Sequence, residues 1–406
     1  MSPLKISWKS LRSKPLSAGL NMLLIAFGAG ILTLLLLASS QIEEKLNSNS
    51  KDIDLVVGAK GSPLQLILSS IYYIDFPTGN IPLKEANELM HNPFVRRAVP
   101  LALGDNYNGV RIVGTDTNYI HLYGLTLQSG KFWSADLDAT IGHNVAIAQN
   151  LKVGDTFHGA HGLTENKDVH DTHSYRVTGI LAPQGNVTDN LILTNIASVW
   201  QMHEEPHEHA EGEAHDHEKE EAEAMKSREI TSLLIQYRSP MSVAMFPRMV
   251  NQMSSMQSAS PAMESTRLFS LIGVGVDTLQ WFAVLIMLIA AISVFVNLYN
   301  SLKERKYDLA IMRTLGASRL KLFLIVILEG LLLTLGGTLI GLFIGHATLE
   351  LIGQYQESEQ ARLTGWIFLN AEGYLLLVGI GIGIFASVIP AMQAYRSNIS
   401  KILAKN

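Results

Sequence analysis

The sequence contains no cysteine and no phosphate-binding loop of the Walker type. The first absence excludes disulfides and thiolate metal ligands, but it does not fix the compartment, because a domain of ordinary size needs no covalent staple. Gly58 and Gly61 flank Lys60, yet they lack the Gly-x-x-x-x-Gly-Lys-Ser/Thr spacing that cradles phosphates. We therefore expect a chain that hydrolyses nothing itself and has no catalytic residues.

Charge is scarce in four long apolar runs, at residues 17–39, 279–299, 322–346 and 373–395. Each run is long enough for a helix to cross about 30 Å of hydrocarbon. The interval 40–275 is polar and long enough to fold around a core of its own. The expected fold is four transmembrane helices, with a large extracytoplasmic α+β domain inserted between the first and second spans. The other segments are an amphipathic helix at 1–16, a short helical segment at 300–321, an outer loop at 347–372 and a tail at 396–406.

Lysine and arginine cluster at one end of the apolar runs, which sets their orientation. They are Lys5, Lys9, Arg12 and Lys14, then Lys303, Arg305, Lys306, Arg313, Arg319 and Lys321, then Arg396, Lys401 and Lys405. Both termini should therefore be cytoplasmic, and the large domain should lie outside, in the periplasm of a Gram-negative cell. The first run exceeds the about 7–15 apolar residues of a signal peptide, which favours an uncleaved anchor.

The interval between the first two spans contains short β-type runs separated by glycine turns. We expect strands at 110–114, 129–133, 144–148, 153–157 and 175–180, and a helix at 83–91. Residues 64–74 form an apolar element, which is either core or a surface patch for a partner or a lipid-like substrate.

A charged segment, residues 304–318, separates the second and third spans. Its spacing predicts a short amphipathic helix with Leu309, Met312 and Arg313 on one face. Gly316 would end this helix and Ser318 would cap the next one. A short charged helix between two spans needs a partner groove in the cytoplasm for its apolar residues.

Glu304-Arg305-Lys306, the run Ile311–Ser318, Glu329-Gly330 and the following glycine ladder resemble the FtsX-like permease domain of MacB/LolE-type ABC transporters. The β-rich interval resembles the periplasmic core domain of MacB-like permeases. The resemblance implies a multi-pass protein of the bacterial inner membrane whose short helix docks on a separate ABC ATPase subunit. The residues implied at that contact are Glu304, Arg305, Asp308, Leu309, Ile311, Met312, Arg313, Leu315 and Gly316.

The resemblance also implies partners and cofactors. ATP and Mg²⁺ would be held by the partner ATPase, and a second permease copy would complete a homodimer or a related heterodimer. Membrane lipid and a periplasmic partner protein are further expected contacts, whereas nucleic acid is not. ATP-driven motion would reach the periplasmic domain, which would handle export or extraction of a substrate. Two alternatives are a divalent-metal transport component and a non-transporting regulator of a periplasmic partner.

Small residues at four-residue spacing favour close helix packing in lipid. They are Gly337, Gly341 and Gly345 in the third run and Gly379 and Gly383 in the fourth. Some of this packing could join two permease copies. Glu329 lies within the third run, where an ionised carboxylate is costly and should face protein or headgroups. The resemblance favours a packing or coupling role for Glu329 over a proton relay.

Two histidine groups are candidate ligands for zinc or another divalent metal. His158, His161, His170 and His173 lie between two expected strands, so a hairpin could bring both pairs to one ion. His207, His209, His215 and His217 belong to a His/Glu-rich insertion at 203–223, which is too polar to fold alone. A His-Glu-x-x-His pattern begins at His203, but Pro206 undermines the helix that a zinc protease needs. Surface histidines without metal remain the alternative.

Overall fold

A computed structural model describes residues 2–162, 173–203, 228–355 and 362–396. The chain divides into two compact units. The membrane unit comprises Met1–Glu43 and Leu271–Asn406, and the outer unit comprises Glu44–Ser270.

The described residues form helices and strands in the following order. The helices are α1 (Pro3–Ser13), α2 (Pro15–Asn49), α3 (Pro63–Ser70), α4 (Leu83–Met90), α5 (Thr117–Tyr123), α6 (His143–Ala148), α7 (Ile196–His203), α8 (Pro240–Met253), α9 (Pro261–Glu304), α10 (Lys306–Thr314), α11 (Arg319–Gln354) and α12 (Glu372–Arg396). The strands are β1 (Leu55–Ala59), β2 (Ile81–Pro82), β3 (Val95–Tyr107), β4 (Val110–Thr115), β5 (Leu127–Gly130), β6 (Asp138–Ile141), β7 (Thr156–Phe157), β8 (Ala160–His161), β9 (Tyr175–Leu181), β10 (Ile192–Asn195), β11 (Glu229–Ile230), β12 (Ser232–Tyr237) and β13 (Met256–Ala259).

Among the described residues, α2, α9, α11 and α12 are long and apolar enough to cross a membrane. Three of them extend well beyond the predicted apolar runs. Helix α2 continues to Asn49 and α9 begins at Pro261, so both ends of the predicted 40–275 domain are helical. Helix α11 runs to Gln354, which shortens the predicted 347–372 loop. Hydropathy marks the lipid-crossing part of a helix, whereas backbone hydrogen bonds continue the helix into its polar flanks.

The glycines expected to pack helices all lie at helix–helix contacts within this chain. Those of α11 face α2, and a Cβ atom on Gly341 would lie only 2.6 Å from the carbonyl oxygen of Ala26. Those of α12 face α11, where Thr334 and Thr338 occupy the space. The set is Gly337, Gly341, Gly345, Gly379 and Gly383. The close contacts these glycines make are therefore with neighbouring spans of the same chain, which accounts for them without a second copy.

The described part of the outer unit forms an eleven-stranded sheet, in which nine strands follow the order β13-β1-β12-β3-β4-β10-β6-β9-β5. Strands β7 and β8 pair with β9 and β3 at its side, and β2 pairs separately with β11. Most pairs are antiparallel, but β10 runs parallel to β4 and β6 runs parallel to β9. Leu233 and Ile235 of β12 pack in one core cluster with Phe246, and Ile141 and Val177 lie in a second. The mixed α/β character of the predicted domain is confirmed.

Three of the expected strands were wrong in whole or in part. Of the run 129–133, only Ser129 and Gly130 are in a strand. Residues 144–148 lie in α6, which begins after Gly142 and buries Val145. Of the run 153–157, only Thr156 and Phe157 are in a strand. A five-residue apolar run is too short for its periodicity to separate a strand from one turn of helix.

The apolar element at 64–74 is core for most of its length. Leu66, Ile67 and Ile71 of this element are buried, and α3 packs on β1 and β13. Exposed apolar side chains begin only at Ile74 and continue with Phe76. The alternative of an exposed patch along the whole element is therefore wrong.

Candidate functional site

The segment between the second and third spans forms a short helix with defined ends. Arg305 leaves helical geometry between α9 and α10, with φ −99° and ψ 14°. Gly316 adopts φ +95°, a left-handed conformation that suits glycine just past a helix. The Ser318 hydroxyl then accepts a hydrogen bond from the Lys321 amide at 3.2 Å and caps α11. The helix is thus shorter than predicted, because Glu304 is the last residue of α9 and Gly316 lies outside α10.

One face of α10 packs against the chain's own membrane unit. Ala310 is buried, and Leu309 packs with Leu302 and Val326 in a small core cluster. Met312 and Arg313 are half-buried. Leu309 and Met312, which we expected to present apolar surface to a partner, are therefore largely covered by this chain. The inward face anchors the helix.

The other face of α10 carries an exposed apolar stripe, formed by Tyr307, Ile311 and Leu315. These residues lie four positions apart, and their exposed fractions are 46%, 38% and 82%. Side chains at this spacing share one helix face. Asp308 lies exposed beside the stripe. Ile311 and Leu315 are among the predicted contact residues, whereas Tyr307 is not, although its four-residue spacing from Ile311 places it on the same face.

Arg305 connects three helices through its guanidinium group. Its Nη1 lies 3.3 Å from Glu329 Oε1 on α11 and also donates to the Ser10 hydroxyl of α1. Its Nη2 donates to the Ser10 carbonyl oxygen at 3.1 Å and to the Ser13 hydroxyl at 3.0 Å. Glu329 is only 6% exposed and the Arg305 side chain is 25% exposed, so the ion pair is shielded mainly on its carboxylate side. Glu329 therefore faces protein, as expected, and its partner is Arg305. The family resemblance had instead placed Arg305 among the residues expected to contact an ATPase.

Two further contacts hold α1 in the same assembly. Lys14, directly after α1, forms an ion pair with Glu304 at the end of α9. The Ser7 hydroxyl donates to the Ile325 carbonyl oxygen of α11 at 2.9 Å, and Ser7 is fully buried. The helix that precedes the first span is thus packed against the third span.

A cavity of about 510 Å³ lies among α1, α9, α10 and α11. Aliphatic side chains from these helices form much of its lining, and Lys9, Arg305, Asp308 and Glu329 contribute its charges. The arrangement gives α10 a packed inward face, an ion pair at its start and free volume beside it.

The predicted metal ligands fall mostly outside the described residues. His158 is exposed, and its Nδ1 lies 3.3 Å from the His173 carbonyl oxygen. The backbone of His161 pairs with Asp105 across β8 and β3, and its side chain lies outside the described set. The predicted ligands that lie wholly outside the described residues are His170, His207, His209, His215 and His217. The part of the chain that the structure describes contains no group of three metal-ligating side chains, so the zinc sites stay a prediction.

Comparison with known proteins gives two family matches. The MacB-like periplasmic core domain matches residues 18–251, which is more than half of the chain. The FtsX-like permease C-terminal domain matches residues 281–399. No curated protein matches the sequence significantly.

Two solved structures are also similar. The periplasmic region of MacB from Actinobacillus actinomycetemcomitans aligns at 11% identity and TM-score 0.34, covering 55% of this chain and 97% of that one. The extracellular domain of the noncanonic ABC-type transporter YknZ from Gram-positive bacteria aligns at 11% identity and TM-score 0.30, covering 51% and 99%.

Within the described ranges, four helices are long and apolar enough to cross a membrane, and a large α/β domain lies in sequence between the first and second of them. With both family matches, this defines a multi-pass permease component of the ABC type. The chain belongs to the MacB/FtsX-like permease family.

Proposed function

We propose that this chain is the permease subunit of a MacB/LolE-type ABC transporter. A separate ATPase docks on α10 and drives the motion. The chain itself supplies no nucleotide site, and ATP with Mg²⁺ belongs to the partner. A second permease copy, identical or related, completes the transporter in the bacterial inner membrane, and the outer unit handles the exported or extracted substrate in the periplasm.

The observation that carries the proposal is the two-faced burial of α10. Its inward face is anchored through Ala310 and Leu309, and its outward face presents Tyr307, Ile311 and Leu315 to the exterior. Exposed apolar side chains at one face of a charged helix are unfavourable in water and favourable in a partner's groove. The left-handed glycine after the helix and the serine cap of α11 define the C-terminal end of α10.

The buried ion pair supplies the path for motion. Arg305 is the hinge residue between α9 and α10, and its guanidinium group is held by Glu329 on α11. Displacement of α10 therefore moves α11 or breaks a pair that is costly to separate in a shielded site. Helix α9 ends directly before Arg305, and α11 is joined to Arg305 through Glu329, so both spans respond to the same push.

The test uses the full chain, purified with a tag from its native membrane, and measures Mg²⁺-dependent ATP hydrolysis that copurifies with it. Ile311→Asp with Leu315→Asp places two carboxylates on the stripe and should remove most of that hydrolysis. The matched control is Ile147→Asp with Val153→Asp, two exposed apolar residues of the outer unit. This control should retain the hydrolysis.

Circular dichroism and elution volume should be unchanged in both variants, because all four positions are exposed. Equal hydrolysis with the stripe variant and the wild type would overturn docking through α10. Loss in the control as well would show that the effect is a general consequence of added charge.

A further inference from the structure

Helix α1 has three distinct faces. Ser7 and Ser10 point to the membrane unit, where Ser7 bonds Ile325 and Ser10 bonds Arg305. Lys5, Lys9 and Arg12 follow one another at four- and three-residue steps, so they form a single exposed basic stripe. Its Lys9 edge also borders the cavity that Asp308 and Glu329 line.

The third face of α1 is apolar and lies beside the basic stripe. Leu4 is 52% exposed and Trp8 is 58% exposed, one turn apart. Neither residue packs in the described core clusters of the membrane unit. Helix α1 therefore presents cations and large apolar side chains on adjoining faces.

The basic stripe carries unbalanced charge. Residues 1–16 contain four cations and no acidic residue. Lys14 is engaged by Glu304, whereas Lys5, Lys9 and Arg12 form no ion pair with the described residues.

The position of α1 in the chain restricts what can cover these faces. Lys14 alone separates α1 from α2, the first membrane-crossing helix. The exposed apolar side chains resume immediately with Leu16 and Leu20 on α2. Because α2 has the length and composition of a membrane span, its direct continuity with α1 would place α1 close to the membrane surface.

We propose that α1 is a binding site for anionic phospholipid headgroups, and that this lipid contact sets the position of α10. Cations at this depth attract acidic headgroups, and leucine and tryptophan enter the acyl boundary beside them. Ser10 and Ser13 of α1 hold Arg305, the hinge of α10. Lipid that seats α1 thereby fixes the residue from which α10 begins.

The first test places the full chain in nanodiscs of phosphatidylcholine alone, or of phosphatidylcholine and phosphatidylglycerol at about 7:3. Because the chain has no cysteine, Leu4→Cys accepts a single spin label. The depth of the label is then measured from the ratio of its collision rate with oxygen to its collision rate with a water-soluble nickel reagent. We expect deeper insertion with phosphatidylglycerol, and partial reversal of that shift at high salt.

The basic stripe is tested by Lys5→Gln, Lys9→Gln and Arg12→Gln together. This variant should lose the phosphatidylglycerol-dependent shift. The matched control carries the same loss of charge on the outer unit, at Lys84, Lys131 and Lys152, and should keep it. A label at equal depth in both lipids, or a shift that survives in the stripe variant, would overturn the lipid site.

The link to α10 is tested with a second spin label at Thr314→Cys. Pulsed spin-resonance then measures the distance between the labels at residues 4 and 314. Phosphatidylglycerol should narrow the distance distribution in the otherwise unchanged chain. Arg305→Ala removes the contacts to both hydroxyls and to the Ser10 carbonyl oxygen, so it should abolish that narrowing while the depth of residue 4 stays lipid-dependent. Narrowing that persists without the guanidinium group would overturn the link. No ATPase is present in these assays, so the lipid site and the docking of an ATPase on α10 can fail independently.

Discussion

Arg305 and Glu329 are 24 residues apart in sequence, yet their side chains meet at 3.3 Å between Nη1 and Oε1. One residue is the hinge at the start of α10, and the other lies in the membrane-crossing helix α11. The pair therefore joins the exposed short helix to α11 at a largely buried carboxylate.

The pair predicts strong coupling between two substitutions. Glu329→Gln leaves a partly buried guanidinium without its counter-ion, and Arg305→Gln leaves a buried carboxylate, so each alone should destabilise the membrane unit by about 2 kcal/mol. The double variant should cost clearly less than the sum, because both charges are removed together. Thermal unfolding of the purified chain is detected as the loss of its monodisperse elution peak. It is measured for the wild type, the two single variants and the double variant.

Additive effects in that cycle would contradict the pairing. Glu304→Gln provides a useful comparison, because Glu304 forms an ion pair with Lys14 and its side chain is 61% exposed. Exposed ion pairs contribute little, so this change should cost about 0–1 kcal/mol.

Gly341 predicts a second measurable effect. A methyl group there would lie 2.6 Å from the Ala26 carbonyl oxygen and 2.7 Å from the Ala29 Cβ, so Gly341→Ala must push α2 and α11 apart. We expect destabilisation of about 1–3 kcal/mol, despite the gain in helix propensity. At Gly381 a methyl group would have no described atom within 4 Å, so Gly381→Ala should be neutral or slightly stabilising. Equal thermal stability of these two variants would argue against the packing of α2 on α11.

Buried tyrosines predict the alkaline behaviour of the outer unit. The hydroxyls of Tyr73 and Tyr119 are 3.1 Å apart, and burial raises the pKa of both side chains above the ordinary tyrosine range. The unfolded chain loses these protons above about pH 10, whereas the folded chain keeps them. The free energy of unfolding is therefore at its full value below that pH and falls as pH rises. The decline should be about 1.4 kcal/mol per pH unit for each tyrosine.

Near-ultraviolet circular dichroism of the full chain follows this transition between about pH 9 and pH 11.5, a range that spans the ordinary tyrosine pKa. Tyr73→Phe should reduce the decline in the free energy of unfolding per pH unit by the contribution of one tyrosine, because phenylalanine cannot ionise. The control Tyr355→Phe changes a residue that is 87% exposed and should leave the slope unchanged. An identical slope in Tyr73→Phe and the wild type would show that Tyr73 ionises freely in the folded state.

Much of the architecture was predictable from sequence. The four apolar runs predicted the spans, because the thickness of the bilayer alone requires about 20 consecutive apolar residues in a crossing helix. The position of the inserted domain followed from the interval between the first two runs. Both rest on local composition, which does not depend on how the rest of the chain folds.

The details of the site depended on contacts that sequence does not specify. Helix α10 has two apolar faces, and nothing local decides whether Leu309 or Tyr307 turns inward. Packing of Leu309 on Leu302 and Val326 decides it. The pairing of Arg305 with Glu329 depends on how α9, α10 and α11 meet, and so could not be derived from either residue's neighbours. The run 144–148 became helix because tertiary burial of Val145 outweighed its strand-like composition.

Site-specific cross-linking can establish whether α10 docks on a separate ATPase. Ile311→Cys in the cysteine-free chain can carry a photoreactive group and be irradiated in native membranes. Ile147→Cys is the control on the outer unit. We expect mass spectrometry to find the residue 311 adduct on a protein with a Walker A loop, and the control not to form it. Adducts from residue 311 confined to lipid or to this chain itself would show that α10 does not dock on an ATPase.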